Sequence, residues 1–259
     1  MSKISRREII KTAGFTLGAT AVGFHALSNE NSHGATDKTK LKIIAIHAHP
    51  DDPETNCGGT ISLLTGKGHD AVVAYLTRGE AGIPGNTHAE AAEKRTLEAI
   101  ESCNIMKARP VFLGQIDGNC EITKDHYSIT FGLLENEKPD IVITHWPIDT
   151  HRDHRICSNL VYDAWLTMGK SFELYYSESM TGMQSQGFTP DLFVDITSVI
   201  EQKQKAAFCH ESQGVKEWYP LSHELMEKFR GLENSCKYAE AFVTQHLNPK
   251  RANLNDFLK

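Results

Sequence analysis

None of the six cysteines forms a Cys-x-x-Cys pair, and the chain lacks any unbroken apolar run of the ~20 residues a spanning helix needs. The first absence removes the usual structural zinc site, and the second argues against a permanent membrane anchor. Cys57, Cys103, Cys120, Cys157, Cys209 and Cys236 follow no spacing that selects a disulfide pattern, so mostly buried thiols are expected. Basic excess is missing too. Residues 1–28 hold four Lys or Arg and one Glu; without them 23 basic groups face 32 acidic ones, a net −9 with His neutral. Nucleic acid is therefore not an expected partner. No internal repeat or linker divides the remainder, which is long enough for one well-buried domain spanning 41–259.

The amino terminus carries an address. Ser5-Arg6-Arg7-Glu8-Ile9-Ile10-Lys11, followed by the small-residue apolar stretch Thr12 to Ala26, matches a twin-arginine export signal over residues 1–28. Polar residues 29–40 read as a disordered spacer. The expected partner is the twin-arginine machinery, which carries folded proteins. The expected location is periplasmic or otherwise extracytoplasmic.

Chemistry concentrates at two places. The Ile-rich run Lys42 to Ile46 reads as a buried parallel strand, and His49-Pro50-Asp51-Asp52 follows it in a turn enforced by Pro50. Open α/β sheets bind ligands at such strand ends. Adjacent carboxylates cannot point the same way, so Asp52 can share a divalent cation with His49 while Asp51 stays free to take a proton. Pro-Asp-Asp-Pro is equally good turn and helix N-cap chemistry. Farther on, the buried strand Asp140 to Thr144 precedes His151-Arg152-Asp153-His154 and an apolar-periodic helix. Once helical, His151 and His154 share a face, so one can ligate while the other reaches over a substrate. Asp153 could orient an imidazole from behind. A solvated helix start would carry similar charges. Both halves together supply two His and one Asp and leave a position open, the usual composition of catalytic zinc.

With these motifs the sequence resembles the zinc-dependent N-acetylglucosaminyl de-N-acetylases, a family that includes PIG-L, LmbE-like proteins and thiol-biosynthetic sugar deacetylases. Ala48 to Asp52 stand as A-H-P-D-D, with Glu54 and Gly58-Gly59-Thr60 behind them, and His151 to His154 stand as H-x-D-H. Weaker matches are Leu76 to Glu80, Arg95, Leu113-Gly114 with Asp117-Gly118, and Lys205-Ala206 with His210 to Gln213. The resemblance spans residues 41–215. It implies Zn2+ on His49, Asp52 and His154, Asp51 as general base, and His151 near the oxyanion or leaving group, backed by Asp153. Arg95 and Asp117 would approach an N-acetylated sugar. Two positions depart from the family pattern. Pro53 displaces the glutamate to Glu54, and Asp149 stands where some members carry a tyrosine.

The expected activity is hydrolysis of an N-acetyl group from an N-acetylglucosamine-type sugar or glycoconjugate. A zinc hydrolase of another amide or ester, and a noncatalytic carbohydrate-binding relative, are the alternatives. His47 and His145 read as packing or supporting histidines, and Arg78 as a partner for Glu80. His210 with Gln213 reads equally as a substrate contact or a bonded helix end. Trp146, Trp165 and Trp218 read as core or loop anchors.

The fold class expected is α/β, a Rossmann-like, mostly parallel sheet with helices on both faces in a single domain. Strands are expected at 41–47, 71–76, 110–113, 140–145, 173–177 and 192–195. Helices are expected at 58–67, 87–105, 153–169, 197–209 and 223–242, with loops at 178–190 and 211–222.

Overall fold

A nearly unbroken apolar run, Ile43 to Ile46, lets the first strand bury both of its faces, and the rest of the sheet is arranged around it. In the computed structural model, which describes residues 40–247 and Leu254, β1 (Lys42–His47) sends Ile43 and Ala45 into one apolar cluster and Ile44 and Ile46 into another. All four are fully buried. Burial of each large aliphatic chain contributes roughly 1.5–3 kcal/mol, which is why this strand sits at the centre. The twin-arginine segment 1–28 and spacer residues 29–39 lie outside the described residues, while Lys40 pairs with Asp70 at 2.8 Å.

The chain continues through α1 (Asp52–Gly66), β2 (Asp70–Tyr75), α2 (His88–Met106), β3 (Arg109–Phe112), α3 (Lys124–Glu137), β4 (Ile141–His145), α4 (Arg152–Thr167), β5 (Glu173–Ser177) and β6 (Leu192–Asp195). It closes with α5 (Ile200–Ala207), the short α6 (Val215–Trp218), α7 (His223–Glu233) and β7 (Ala239–Thr244). One seven-stranded sheet results, in the order β3-β2-β1-β4-β5-β7-β6. The first five strands in that order pair in parallel, and β7 runs antiparallel to both β5 and β6. Residues of α1, α2 and α5 share the cluster on one face, and residues of α3 and α4 share the other. Among the described residues no helix is long and apolar enough to cross a membrane.

All six expected strands form, with β6 at the sheet edge. Several elements differ from expectation, among them the short α6, which falls within the expected loop 211–222. The helix expected over 223–242 stops at Glu233, because Ser235 takes a left-handed φ of 56°, and Ala239–Thr244 then enters the sheet. Helix α3 was not foreseen, since Thr130 and Leu134 are its only buried residues and little apolar periodicity marks it.

Helix α1 begins at Asp52, earlier than expected, and is kinked at Cys57. The kink exposes a second set of helix N–H groups, and Glu240 from β7 caps them: its carboxylate accepts from Gly59 N and Thr60 N, each at 2.8 Å. Lys203 of α5 neutralises this buried group at 2.7 Å and also reaches Glu227 at 2.6 Å. The antiparallel strand thus fixes the helix that carries half of the site.

The order of strands reverses between β1 and β4: from β1 the chain adds β2 and β3 on one side, then crosses to add β4 and β5 on the other. Such a switch point opens a crevice beyond the strand ends. Both chemical motifs emerge there.

Candidate metal and catalytic site

Asp52 lies between two imidazoles. One of its oxygens is 3.1 Å from His49 Nδ1, and the other is 3.3 Å from His154 Nε2. The far nitrogen of each ring faces a carboxylate. His49 Nε2 stands 3.1 Å from Asp117 and 3.4 Å from Asp153, while His154 Nδ1 stands 3.2 Å from Asp149. Carboxylates behind metal-binding histidines hold the proton on the outer nitrogen and leave the inner one as a lone-pair donor. Burial disfavours a charged His154, yet Asp52 and Asp149 push its pKa up to about 9. The field that favours a proton there also favours a divalent cation. His49, Asp52 and His154 therefore fit a metal ion by donor chemistry; the groups whose donor atoms lie within 4.8 Å of one another are His49-His151-His154, Asp52-His145-His154 and His49-Asp117-Asp153, which share these three residues without uniting them in one group.

His145 and His47 do not join this set. His145 Nε2 accepts the Ala48 N–H at 3.0 Å, so its lone pair is occupied, and burial drives its pKa down to about 4. His47 bonds Ser177 at 2.8 Å. Both support the site from below, as the sequence indicated. The His145 ring stacks on His154 at 3.8 Å, nearly parallel, and limits its rotation.

Asp51 is the N-cap of α1 at φ 109°, a conformation that costs a non-glycine residue about 1–3 kcal/mol. The turn and the helix cap expected from the sequence thus form here, and they coincide with the candidate site. The strained backbone is held from two sides. Its N–H donates to Glu54 at 3.1 Å, and Glu54 in turn accepts from Tyr75 at 2.6 Å and faces His210 at 3.4 Å. Arg95 donates to the Pro50 carbonyl and to Asp51 Oδ2, the latter at 3.2 Å. Burial raises the Asp51 pKa to about 6, with Arg95 opposing and Asp52 adding to the rise.

His151 is the N-cap of α4 and lies outside the helix, so the expected shared helical face is replaced by ring contact with His154 at 4.6 Å. Its Nδ1 accepts the Asp153 N–H at 3.2 Å, which assigns the proton of the neutral ring to Nε2. Burial, with His49 and His154 nearby, lowers its pKa. The carboxylate of Asp153 does not back His151. It accepts from Gly118 N at 2.7 Å and faces His49, because the first turn of α4 points it toward the β1 end.

A cavity of about 330 Å³ opens over these groups, lined by His49, Asp51, Asp52, Arg95, Asp117, His151 and His154 together with Ala81, Gly82, Gln184 and Gln213. Every residue assigned a role from sequence lines it except Asp153, which supports it. Arg95 and Asp117 reach the cavity, but they are engaged within it, Arg95 by the Pro50 carbonyl and Asp51, and Asp117 by His49. The residue that sequence reasoning passed over is Asp149, noted only for departing from a tyrosine. Its signal was the Asp-x-His spacing to His151.

Residues 44–165, which contain both motifs, match the family described as PIG-L, GlcNAc-PI de-N-acetylase. Diacetylchitobiose deacetylase of Thermococcus kodakarensis is 29% identical over 216 residues, covering 77% of this chain and 81% of that one. These matches support a place for the chain among the PIG-L/LmbE-like deacetylases. Its fold is that of N,N'-diacetylchitobiose deacetylase from Pyrococcus horikoshii, with a TM-score of 0.71 at 23% identity over 79% of this chain and 84% of that one. A protein named 4-oxalmesaconate hydratase, from Pseudomonas putida, is 25% identical over 66% of this chain and 73% of its own.

Proposed function

We propose that this protein is a zinc-dependent N-deacetylase of N-acetylglucosamine-type sugars or glycoconjugates, exported folded by the twin-arginine route and active outside the cytoplasm. The observation that carries the reading is Asp51: a half-buried carboxylate on a strained backbone beside the His49, Asp52 and His154 donor set. The relatives named as diacetylchitobiose deacetylases support a sugar amide as substrate. The cavity also disfavours a polycarboxylate, because Arg95, the one guanidinium lining it among the described residues, already faces Asp51 and Asp117 at 3.2 and 3.7 Å. Its remaining polar walls, Gln184 and Gln213, are uncharged hydrogen-bonding groups suited to sugar hydroxyls.

Zinc, when bound by His49, Asp52 and His154, would supply Lewis-acid polarisation of the amide carbonyl and acidify water. Asp51 accepts the proton of the attacking water on its carboxylate, and its raised pKa lets the same group release that proton later. His151, with its proton on Nε2, donates to the charge that develops on the carbonyl oxygen. The departing amine takes its proton from Asp51, which holds the one removed from the attacking water, while His151 keeps its Nε2 proton as a hydrogen-bond donor. Arg95 keeps the Asp51 carboxylate aimed into the cavity.

Acetate release from a panel of N-acetylated sugars, with and without a chelator, tests the reading. Release that stops on metal removal is expected. Reaction of O-acyl compounds alone would make the protein an esterase, and metal uptake without any hydrolysis would make it a binding module.

A further inference from the structure

The two histidines of the second motif must hold opposite tautomers to act as proposed. His154 has to present a lone pair at Nε2, whereas His151 has to keep a proton there. A neutral imidazole puts its proton wherever its surroundings favour it. Both choices can be traced to one side chain.

We infer that Asp149 is a positioning residue that sets these two tautomers apart. One oxygen accepts the His151 N–H at 2.7 Å and the other stands 3.2 Å from His154 Nδ1. The first contact fixes the turn in which His151 Nδ1 accepts the Asp153 N–H, leaving the proton on Nε2. The second places the His154 proton on Nδ1, leaving Nε2 free. Asp149 Oδ2 and His154 Nδ1 are both buried and neither makes a hydrogen bond elsewhere, so at 3.2 Å each is the other's polar neighbour and the ring is the group this oxygen serves. Its backbone cannot swing away: Asp149 bridges to Ser185, Thr150 N donates to Gln184 O at 3.0 Å, and Gln186 N donates to Ile148 O at 2.8 Å. Stacking by His145 prevents His154 from turning its other edge toward Asp149. This inference rests on His154 being a metal ligand.

Asn at this position offers one acceptor oxygen and can satisfy only one of the two histidines. Zinc affinity of the full chain, measured by competition with a chelator, is expected to fall roughly 10- to 100-fold in Asp149→Asn and in Asp149→Ala. In the zinc-loaded wild type, nitrogen-15 spectra of the imidazoles should show the proton on Nδ1 of His154 and on Nε2 of His151. Unchanged zinc affinity in Asp149→Asn overturns the inference alone. So does a wild-type spectrum with His154 protonated on Nε2, a reading that stands even where a variant does not fold. A wild-type chain that takes up no zinc overturns the ligand reading and this inference together.

Discussion

Asp51 joins two properties in one residue, a carboxylate raised to a pKa of about 6 by burial and a backbone at φ 109°. Neither is needed for folding, and both suit a group that must take and return a proton near neutrality. Asp51→Asn should keep its zinc, since Asp51 is not among the expected ligands, while kcat falls by about 10²–10⁴. Metal analysis and turnover on the same sample check this, and normal turnover would remove the base. Arg95 depends on an absence. A Cβ at Gly79 would lie 2.4 Å from the Arg95 guanidinium, and Gly79 itself sits at φ +73°. Gly79→Ala should therefore displace Arg95 and lower stability by about 1–3 kcal/mol, seen as a lower melting temperature with reduced kcat. At this scale the sequence was informative wherever spacing is local. His49, Asp51 and Asp52 share one turn and His151 to His154 another, so their convergence needed only two adjacent strand ends. Contacts of long reach were not visible. Arg95 meets Asp51 across 44 residues, and the turn of Asp153 toward His49 depends on how α4 packs against β1.

Elements show the same division between local pattern and remote partner. Strands β1 and β4 are continuous apolar runs because helices cover them on both faces, and such runs are readable without a structure. The Ala-Glu-Ala of β7 has helical composition, and only its place between β5 and β6 makes it a strand. Glu240 explains why the chain needs that strand. It caps the kink in α1, and Lys203 balances it within a buried cluster that also contains Glu227. Removing the cation leaves two carboxylates uncompensated in the interior. Lys203→Met should thus cost about 3–5 kcal/mol in denaturant unfolding, far more than a surface lysine change. A shift of less than about 0.5 kcal/mol would show that the cluster does not hold the kink.

For the whole molecule, the same interior that shelters the site makes stability depend on pH. His223 is buried against Trp218 and Tyr219, and burial, with Lys203 adding to it, lowers its pKa from 6.5 to about 3. His47 is lowered in the same direction by burial and by His145. The unfolded chain binds protons at these rings that the folded chain refuses, so unfolding becomes easier as pH falls. The contribution of His223 is complete above 6.5 and is lost progressively down to about 3. Other groups titrate across part of that window, which is why the slope must be compared with a variant. In His223→Gln the ring no longer takes up a proton on unfolding, so its denaturation midpoint should fall less steeply between neutral pH and pH of about 4 than that of the wild type. Equal slopes would mean that His223 titrates alike in both states and is not sealed from water. The Lys203 charge that helps keep His223 unprotonated is the same one that pairs with the Glu240 cap of α1, so Lys203→Met should also weaken this pH dependence.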